Sequence, residues 1–148
     1  MPSSFFSLFK RRSVSLLPEA HRTGAWGERA AARFLKEKGY LILGRNIRFG
    51  SRAELDVVAR QEHPPVLVFV EVKTRRGEEF GRPFSAVNRN KRRVIGRAAM
   101  HYLRRMKERP KHIRFDVVEI IGSPGVDAPI IRHIENAFSP GPEYRLPW

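Results

Sequence analysis

The sequence contains no cysteine. Disulfide bonds, zinc sites with thiolate ligands and a cysteine nucleophile are therefore excluded. The five histidines are spread along the chain without a close pair at metal-ligand spacing, so a histidine-rich zinc site is not expected either. No apolar run approaches the ~20 residues that a membrane-spanning helix needs. We therefore expect no stable membrane insertion and a cytoplasmic location.

Acidic residues are scarce relative to basic ones. Fifteen Asp and Glu residues stand against 29 Lys and Arg residues, which gives a net charge of +14 over 148 residues. A surface this basic attracts polyanions, because each neutralised phosphate releases condensed counterions. DNA is the leading expected partner, an anionic membrane surface is the second, and a basic surface without a partner is the plain alternative.

The length suits one ordinary domain with a sizeable core, and 41% of the residues are hydrophobic. Residues 1–22 are predicted to form a flexible basic tail, since Lys10, Arg11 and Arg12 follow the aromatic stretch, whereas a secretory signal begins with its charge. A weak membrane or partner contact through the Phe side chains of this tail is the alternative. Residues 23–138 are predicted to form the folded domain, and the proline-rich residues 139–148 a C-terminal tail.

The hydrophobic pattern predicts an α/β domain in which helices flank a mixed β-sheet, in the order α-β-β-β-α-β-β. Gly39 closes the first predicted helix, near residues 24–38. Three strands follow, at residues 40–43 with an extension to 47, at 54–60 and at 66–74. A loop over residues 75–85 leads to a long helix near 86–108, and the last strands are predicted at 113–121 and 130–138.

The third predicted strand ends in charged residues that lie on one face. Side chains alternate across a strand, so Glu71 and Lys73 share a face, and burying both is costly unless they are paired or bind a ligand. If the second and third strands are antiparallel neighbours, counting back from the turn at residues 61–65 puts Asp56 near Glu71. Asp56, Glu71 and Lys73 are therefore predicted to meet at one end of the sheet.

Two carboxylates with water and a phosphate oxygen suit Mg²⁺, or the similar Mn²⁺. Lys73 would then orient or deprotonate the attacking water and offset phosphoryl charge. Glu28 on the first helix would add a carboxylate, so the predicted metal ligands are Asp56, Glu71 and Glu28. The structural alternatives are a turn aspartate, a solvated Glu71–Lys73 ion pair, and a Glu28 favoured only by the helix dipole.

Other basic residues are candidates for contacts with the substrate. Lys91 lies within the apolar stripe of the second predicted helix, where a charge is expensive. It either reaches the carboxylates or the scissile phosphate, as a further catalytic residue, or it extends past its apolar neighbours to water. The predicted phosphate contacts are arginines after the third strand and on the second helix: Arg75, Arg76, Arg89, Arg92, Arg93 and Arg97.

Five separated blocks of the sequence carry a family resemblance over residues 21–138. They are Gly24-Ala-Trp-Gly-Glu28, Glu54-Leu-Asp56, Phe69-Val-Glu71-Val-Lys73, Lys91 and Arg114-Phe-Asp116-Val-Val. In order and spacing they resemble the YraN family, small bacterial proteins with a restriction-endonuclease-like fold whose function is uncharacterised as a class. The chain departs from the family at Ala53-Glu-Leu-Asp56, where the family usually has Gly-Glu-Ile-Asp.

The central blocks also look like the Asp…Glu-X-Lys signature of a nuclease superfamily that includes archaeal Holliday-junction resolvases. The resemblance implies a catalytic core of Asp56, Glu71 and Lys73, with Glu28 as the helix-borne carboxylate. It further implies a metal-dependent DNA endonuclease, acting on branched or damaged DNA, and a homodimer by analogy with resolvases. The alternatives are a catalytically silent nucleic-acid-binding module of the same fold and a membrane-surface adaptor.

Overall fold

A computed structural model of the protein describes residues 19–77, 87–142 and 144. Its elements follow the predicted order α-β-β-β-α-β-β, which is confirmed. Most of the predicted 75–85 loop lies outside the described residues. The helices and strands are α1 (Glu19–Glu37), β1 (Leu41–Phe49), β2 (Ala53–Gln61), β3 (Val66–Arg75), α2 (Arg89–Arg105), β4 (Ile113–Ile121) and β5 (Ile130–Ile134).

The five strands form one mixed sheet in the order β1-β2-β3-β4-β5. Only β3 and β4 are parallel, and α2 lies in the crossover that joins them. All other neighbouring strands are antiparallel. The predicted mixed sheet flanked by helices is therefore confirmed, and the arrangement is consistent with an α/β nuclease-like fold.

The sheet has an apolar core on each face. One core joins Ala31 and Leu35 of α1 to strand residues such as Val68 and Val118. The other joins Ile95 and Leu103 of α2 to residues such as Phe69. Because both faces of β3 are covered, its apolar run is continuous rather than alternating.

Helix α1 begins five residues earlier than the predicted start at residue 24. Glu19–His21 and Arg22, which were assigned to the tail, therefore belong to the helix, while residues 1–18 lie outside the described part of the chain. The predicted closure at Gly39 is confirmed. This residue has φ 92°, its N–H donates to Lys36 O at 2.9 Å, and the Tyr40 N–H donates to Leu35 O at 3.0 Å.

The C-terminal elements also differ from their predicted bounds. Strand β5 ends at Ile134 instead of residue 138, and α2 begins at Arg89, after Asn88 accepts the Lys91 N–H at 2.8 Å. Pro140, which was assigned to the C-terminal tail, is buried against α2. A Cβ on Gly96 would lie 2.6 Å from the Pro140 Cβ, so the described part of residues 139–148 packs onto the domain.

Candidate active site

Strands β2 and β3 separate at the end where the predicted catalytic residues lie. Their ladder runs from Gln61–Val66 to Val57–Val70 and stops there. Beyond it, the Val72 N–H donates to the side-chain Oδ2 of Asp56 at 2.9 Å. Leu55 packs in the α2-side core and Val57 in the α1-side core, so regular alternation breaks at Asp56. The Asp56 carboxylate thus occupies the gap between the strands, as an acceptor for β3.

The half-buried Asp56 and the buried Glu71 form a carboxylate pair, and a hydrogen bond joins their side chains. Glu71 is only 7% exposed. Burial, together with the charge of Asp56, raises the pKa of Glu71 to about 8, although Lys91 and Lys73 oppose that rise. Burial also raises the pKa of Asp56, against the opposing effect of the Val72 N–H. The pair therefore retains a proton at pH values where an exposed carboxyl would have lost it.

Two lysines flank the carboxylate pair from different elements. The Lys91 ammonium reaches from α2 to 3.6 Å from Glu71 Oε1, so Lys91 does reach the carboxylates, while its catalytic role stays a prediction. Lys73 lies on the same strand and face as Glu71, and its charge lowers the pKa of that carboxyl. The structure therefore brings together Asp56, Glu71, Lys73 and Lys91.

Glu28 approaches this cluster from α1. Its carboxylate hydrogen-bonds with the Asn46 side chain, and burial, with the charges of Asp56 and Glu54, raises its pKa. The helix begins nine residues before Glu28, and the dipole acts only within the first turn, so the dipole alternative is wrong. Asn46 has a left-handed φ of 51°, a conformation that asparagine tolerates well, and this residue was missed in the sequence.

The carboxylate pair has the donor chemistry of a Mg²⁺ site. Two neighbouring carboxylates, one of them buried, repel each other when both are ionised, and a divalent cation relieves that repulsion. Within the described residues, no group of three or more His, Cys, Asp or Glu side chains has the arrangement of a metal site. Mg²⁺ commonly keeps several waters and uses one or two carboxylates, so Asp56 and Glu71 fit such an ion without a third protein carboxylate.

Glu119 on β4 is a buried neighbour of the site that the sequence reasoning missed. It pairs in register with Lys73, is 1% exposed, and its Oε2 makes no hydrogen bond. Its carboxylate lies 3.3 Å from the Arg75 Nε and 3.7 Å from the Arg132 Nη1. The available signal was a glutamate among the apolar residues Val117–Ile121 of β4. Arg75, a predicted phosphate contact, is thus largely buried against Glu119.

The predicted phosphate contacts on α2 surround its N-terminal end. Arg89, Arg92 and Arg93 line a groove of about 640 Å³ between this end and residues 139–142. Arg92 is anchored there, because its Nε donates to Val87 O at 2.7 Å and its guanidinium lies 5.8 Å from the centre of the Phe138 ring. Arg97 is exposed further along the helix, and Arg76 is exposed just after β3.

The sequence block around Arg114 lies on the opposite, α1-facing side of the sheet. Asp116 is fully buried and accepts a bidentate interaction from Arg114 at 2.8 and 2.9 Å. It also lies 2.8 Å from His133 Nε2, and its Oδ1 accepts the Asn136 N–H. Burial raises the pKa of Asp116, but these hydrogen bonds outweigh it, so the pKa lies below its ordinary value. This network joins β4 to the end of β5.

None of the described helices is long and apolar enough to cross a membrane. The sheet is mixed, and carboxylates and lysines lie together at its open end. These features define the class of the protein: it is a domain consistent with the α/β nuclease-like fold. The chain belongs to the uncharacterised protein family UPF0102, whose model matches residues 27–120. The predicted membership of the YraN family is thereby confirmed.

Relatives in several bacteria match most of the chain. A UPF0102 protein of Symbiobacterium thermophilum is 48% identical over 120 residues, which cover 80% of this chain and 98% of the relative. A UPF0102 protein of Pelobacter propionicus is 45% identical over 126 residues, covering 85% and 89%. One of Nocardia farcinica is 44% identical over 117 residues, covering 78% and 87%.

Proposed function

We propose that this protein is a metal-dependent endonuclease that hydrolyses phosphodiester bonds in DNA. The observation that carries the proposal is the pairing of Asp56 with the buried Glu71, flanked by Lys73 and Lys91 at the open end of the sheet. A carboxyl whose pKa is raised by burial and by a neighbouring like charge, with ammonium groups beside it, has the features of a functional-site candidate. The net charge of +14 supports a polyanionic substrate.

Asp56 and Glu71 would hold Mg²⁺ or Mn²⁺, with Glu28 beside them. The ion, when bound, would supply a Lewis acid and lower the pKa of a coordinated water. Lys73 would orient or deprotonate the attacking water and offset the charge that develops on the phosphoryl oxygens. Lys91 would lower the pKa of Glu71 through its charge and so favour the ionised form that holds the metal. Arg76, Arg89, Arg93 and Arg97 would bind flanking phosphates, while Arg75 and Arg92 would mainly hold their neighbours in place.

Branched or damaged DNA is the substrate class that the nuclease resemblance favours. Cutting both strands of such a substrate requires two active sites, which a homodimer would supply. A DNA substrate also implies a cytoplasmic location in bacteria. Sedimentation of the purified protein, alone and with a four-way junction, tests the dimer directly: a single monomeric species in both samples would contradict it.

The test of the activity is cleavage of linear, flapped and four-way DNA in Mg²⁺, in Mn²⁺ and in EDTA. We expect cleavage only with metal, and its loss in Asp56→Asn and Glu71→Gln, which keep the shape of each side chain. DNA binding in EDTA should survive in both variants, because neither side chain is proposed as a phosphate contact. Cleavage that persists in EDTA or in Asp56→Asn would contradict the assignment.

A catalytically silent nucleic-acid-binding module of the same fold is the second candidate. It is favoured by one observation, the net charge of +14, which supports binding of a polyanion whether or not the carboxylate pair cuts it. If the unmodified protein binds all three DNAs in a salt-dependent way but cuts none of them with either metal, this second function is the correct one. The Phe-rich stretch that suggested a membrane adaptor lies outside the described residues.

A further inference from the structure

A cavity of about 420 Å³ lies beside α1 at the end of the sheet where the carboxylate pair is found. Three arginines from two different elements line it, together with an aromatic ring, and none of its described lining residues is acidic. The lining residues are Arg22, Thr23, Trp26, Arg29, Arg76, Ser123 and Pro124. Its volume falls within the range of sites that bind small ligands, roughly 300–1,000 Å³.

The cavity exists because α1 packs closely on the end of β3. Gly27 permits this approach, since a Cβ at that position would overlap the Thr74 hydroxyl. The close packing brings Trp26 and Arg29 of α1 beside Arg76, which follows β3. The far edge of the Trp26 ring lies against Gly122, before the β4–β5 turn, and the half-buried ring lines the cavity. The ring is therefore held at one edge in a fixed position.

An aromatic ring among arginines is the arrangement that binds an unpaired nucleotide. A base stacks on the ring and on planar guanidinium groups, and the same guanidinium groups bind the adjoining phosphates. A base within a duplex presents no free face for such stacking. The chemistry of the lining therefore selects an unstacked base on a charged backbone over continuous duplex.

The cavity and the carboxylate pair are connected along β3. Arg76 is five residues beyond Glu71, about 17 Å along an extended strand at about 3.3 Å per residue. At about 3.4 Å per nucleotide along a stacked strand, this distance corresponds to a few nucleotides. Glu71 faces α2 and the cavity faces α1, so a DNA strand of this length would reach from one to the other around the end of the sheet.

We infer that this cavity binds an unpaired nucleotide of the DNA substrate, close to the site of cleavage. The inference rests on the proposed DNA-directed function and deepens it, since it names DNA with a single-stranded end or an extruded base as the substrate class. It assigns Trp26 as the stacking platform and Arg22, Arg29 and Arg76 as its phosphate and base contacts.

The experiment measures binding in EDTA, so that cleavage plays no part. The sequence has two tryptophans, Trp26 and Trp148, and Trp148→Phe leaves Trp26 as the only tryptophan, whose emission is excited selectively above the tyrosine absorption band. Three DNAs of equal duplex length are compared: blunt, with a short single-stranded overhang, and with the same overhang carrying abasic sugars. We expect the normal overhang to quench Trp26 emission and to bind more tightly than the other two, because only it offers bases to stack.

Two variants and a matched control separate stacking from charge. In Trp26→Leu, which keeps an apolar side chain, the preference for the overhang over blunt duplex should fall roughly five- to hundredfold, as expected for loss of one stacked base. The double variant Arg22→Gln/Arg29→Gln should lose the same preference. The control Arg33→Gln/Lys36→Gln removes two charges from exposed positions of the same helix and should weaken binding of all three DNAs alike.

Equal affinity for overhang and blunt duplex in the Trp148→Phe protein would overturn the inference. So would a preference that persists in Trp26→Leu. Either result leaves the endonuclease proposal standing if cleavage still depends on Asp56 and Glu71. Conversely, a protein that cuts no DNA but shows Trp26 quenching by the overhang retains the cavity assignment and loses the endonuclease assignment.

Discussion

The Lys91 ammonium on α2 lies 3.6 Å from Glu71 Oε1 at the end of β3. Lys91 remains about two-fifths exposed, whereas the Glu71 side chain is almost fully buried. The lysine thus contributes a charge to the carboxylate pair while its own solvation is partly preserved, which reduces the cost of burying Glu71. The ion pair also links the crossover helix to the strand that carries the predicted catalytic residues.

The raised pKa of Glu71 predicts an unusual pH dependence of stability. The folded protein holds a proton up to about pH 8, whereas the unfolded chain loses it near the ordinary value of 4.5. In metal-free protein, the free energy of unfolding should therefore fall as pH rises from about 4.5 to about 8. Thermal unfolding in EDTA across this range measures the slope, and Glu71→Gln should flatten it. An equal slope in both proteins would contradict the prediction.

Removing the Lys91 charge should extend to higher pH the range over which the free energy of unfolding falls. Lys91 lowers the pKa of Glu71, so in Lys91→Met the folded-state pKa should rise above its present value of about 8. The loss of stability with pH should then extend to more alkaline solution. The measurement is the same unfolding series in EDTA, with Arg104→Gln as an exposed control on the same helix. If Lys91→Met and Arg104→Gln behave alike, the ion pair has no influence on Glu71.

Lys73 should affect cleavage without affecting metal affinity. It is not a metal ligand, and its proposed role concerns water and developing phosphoryl charge. We expect Lys73→Met to slow cleavage roughly 10²- to 10³-fold, the usual effect of losing one group that stabilises transition-state charge. Calorimetric titration with Mn²⁺ should give an unchanged or tighter dissociation constant. A variant that cuts normally, or that no longer binds the ion, would remove this role from Lys73.

The arginines on α2 should bind DNA through phosphates rather than bases. Arg89, Arg93 and Arg97 are exposed on that helix, so changing all three to Gln should weaken binding to every DNA sequence alike. The slope of log affinity against log salt concentration should become shallower by about 0.9 for each phosphate contact that the triple variant loses. Arg104→Gln/Lys107→Gln at the other end of α2 is the control. An unchanged slope in the triple variant would place the DNA elsewhere.

The Asp116 network should contribute to stability rather than to cleavage. Asp116→Ala would leave the partly buried Arg114 guanidinium without its main partner, at a cost of about 3–5 kcal/mol in the free energy of unfolding. The double variant Arg114→Met/Asp116→Leu should lose much less stability than the sum of the losses in Arg114→Met and in Asp116→Leu, because it leaves neither charge of the pair without its partner. Urea unfolding measures all of these variants, and strictly additive losses would show that the two side chains act independently.

Local patterns in the sequence were sufficient for the order of elements and for the carboxylates. The alternation of β3 placed Glu71 and Lys73 on one face, and the short turn before it made β2 an antiparallel neighbour. Those two facts bring Asp56 beside Glu71 without knowledge of the rest of the fold. The gap at Asp56 was not predictable in this way, because it arises where the β2–β3 ladder ends and a side chain accepts a backbone N–H of β3.

Contacts between distant segments depended on the tertiary structure. The sequence left open whether Lys91 reaches the carboxylates or water, since that depends on how the crossover helix packs on the sheet. Glu119 comes next to Lys73 only through the parallel pairing of β3 with β4, which the local hydrophobic pattern does not specify. Likewise, Trp26 and Arg76 share a cavity because Gly27 lets α1 approach Thr74. Hydrophobic periodicity reports on a few neighbouring residues, whereas these contacts between distant residues depend on packing across the whole core.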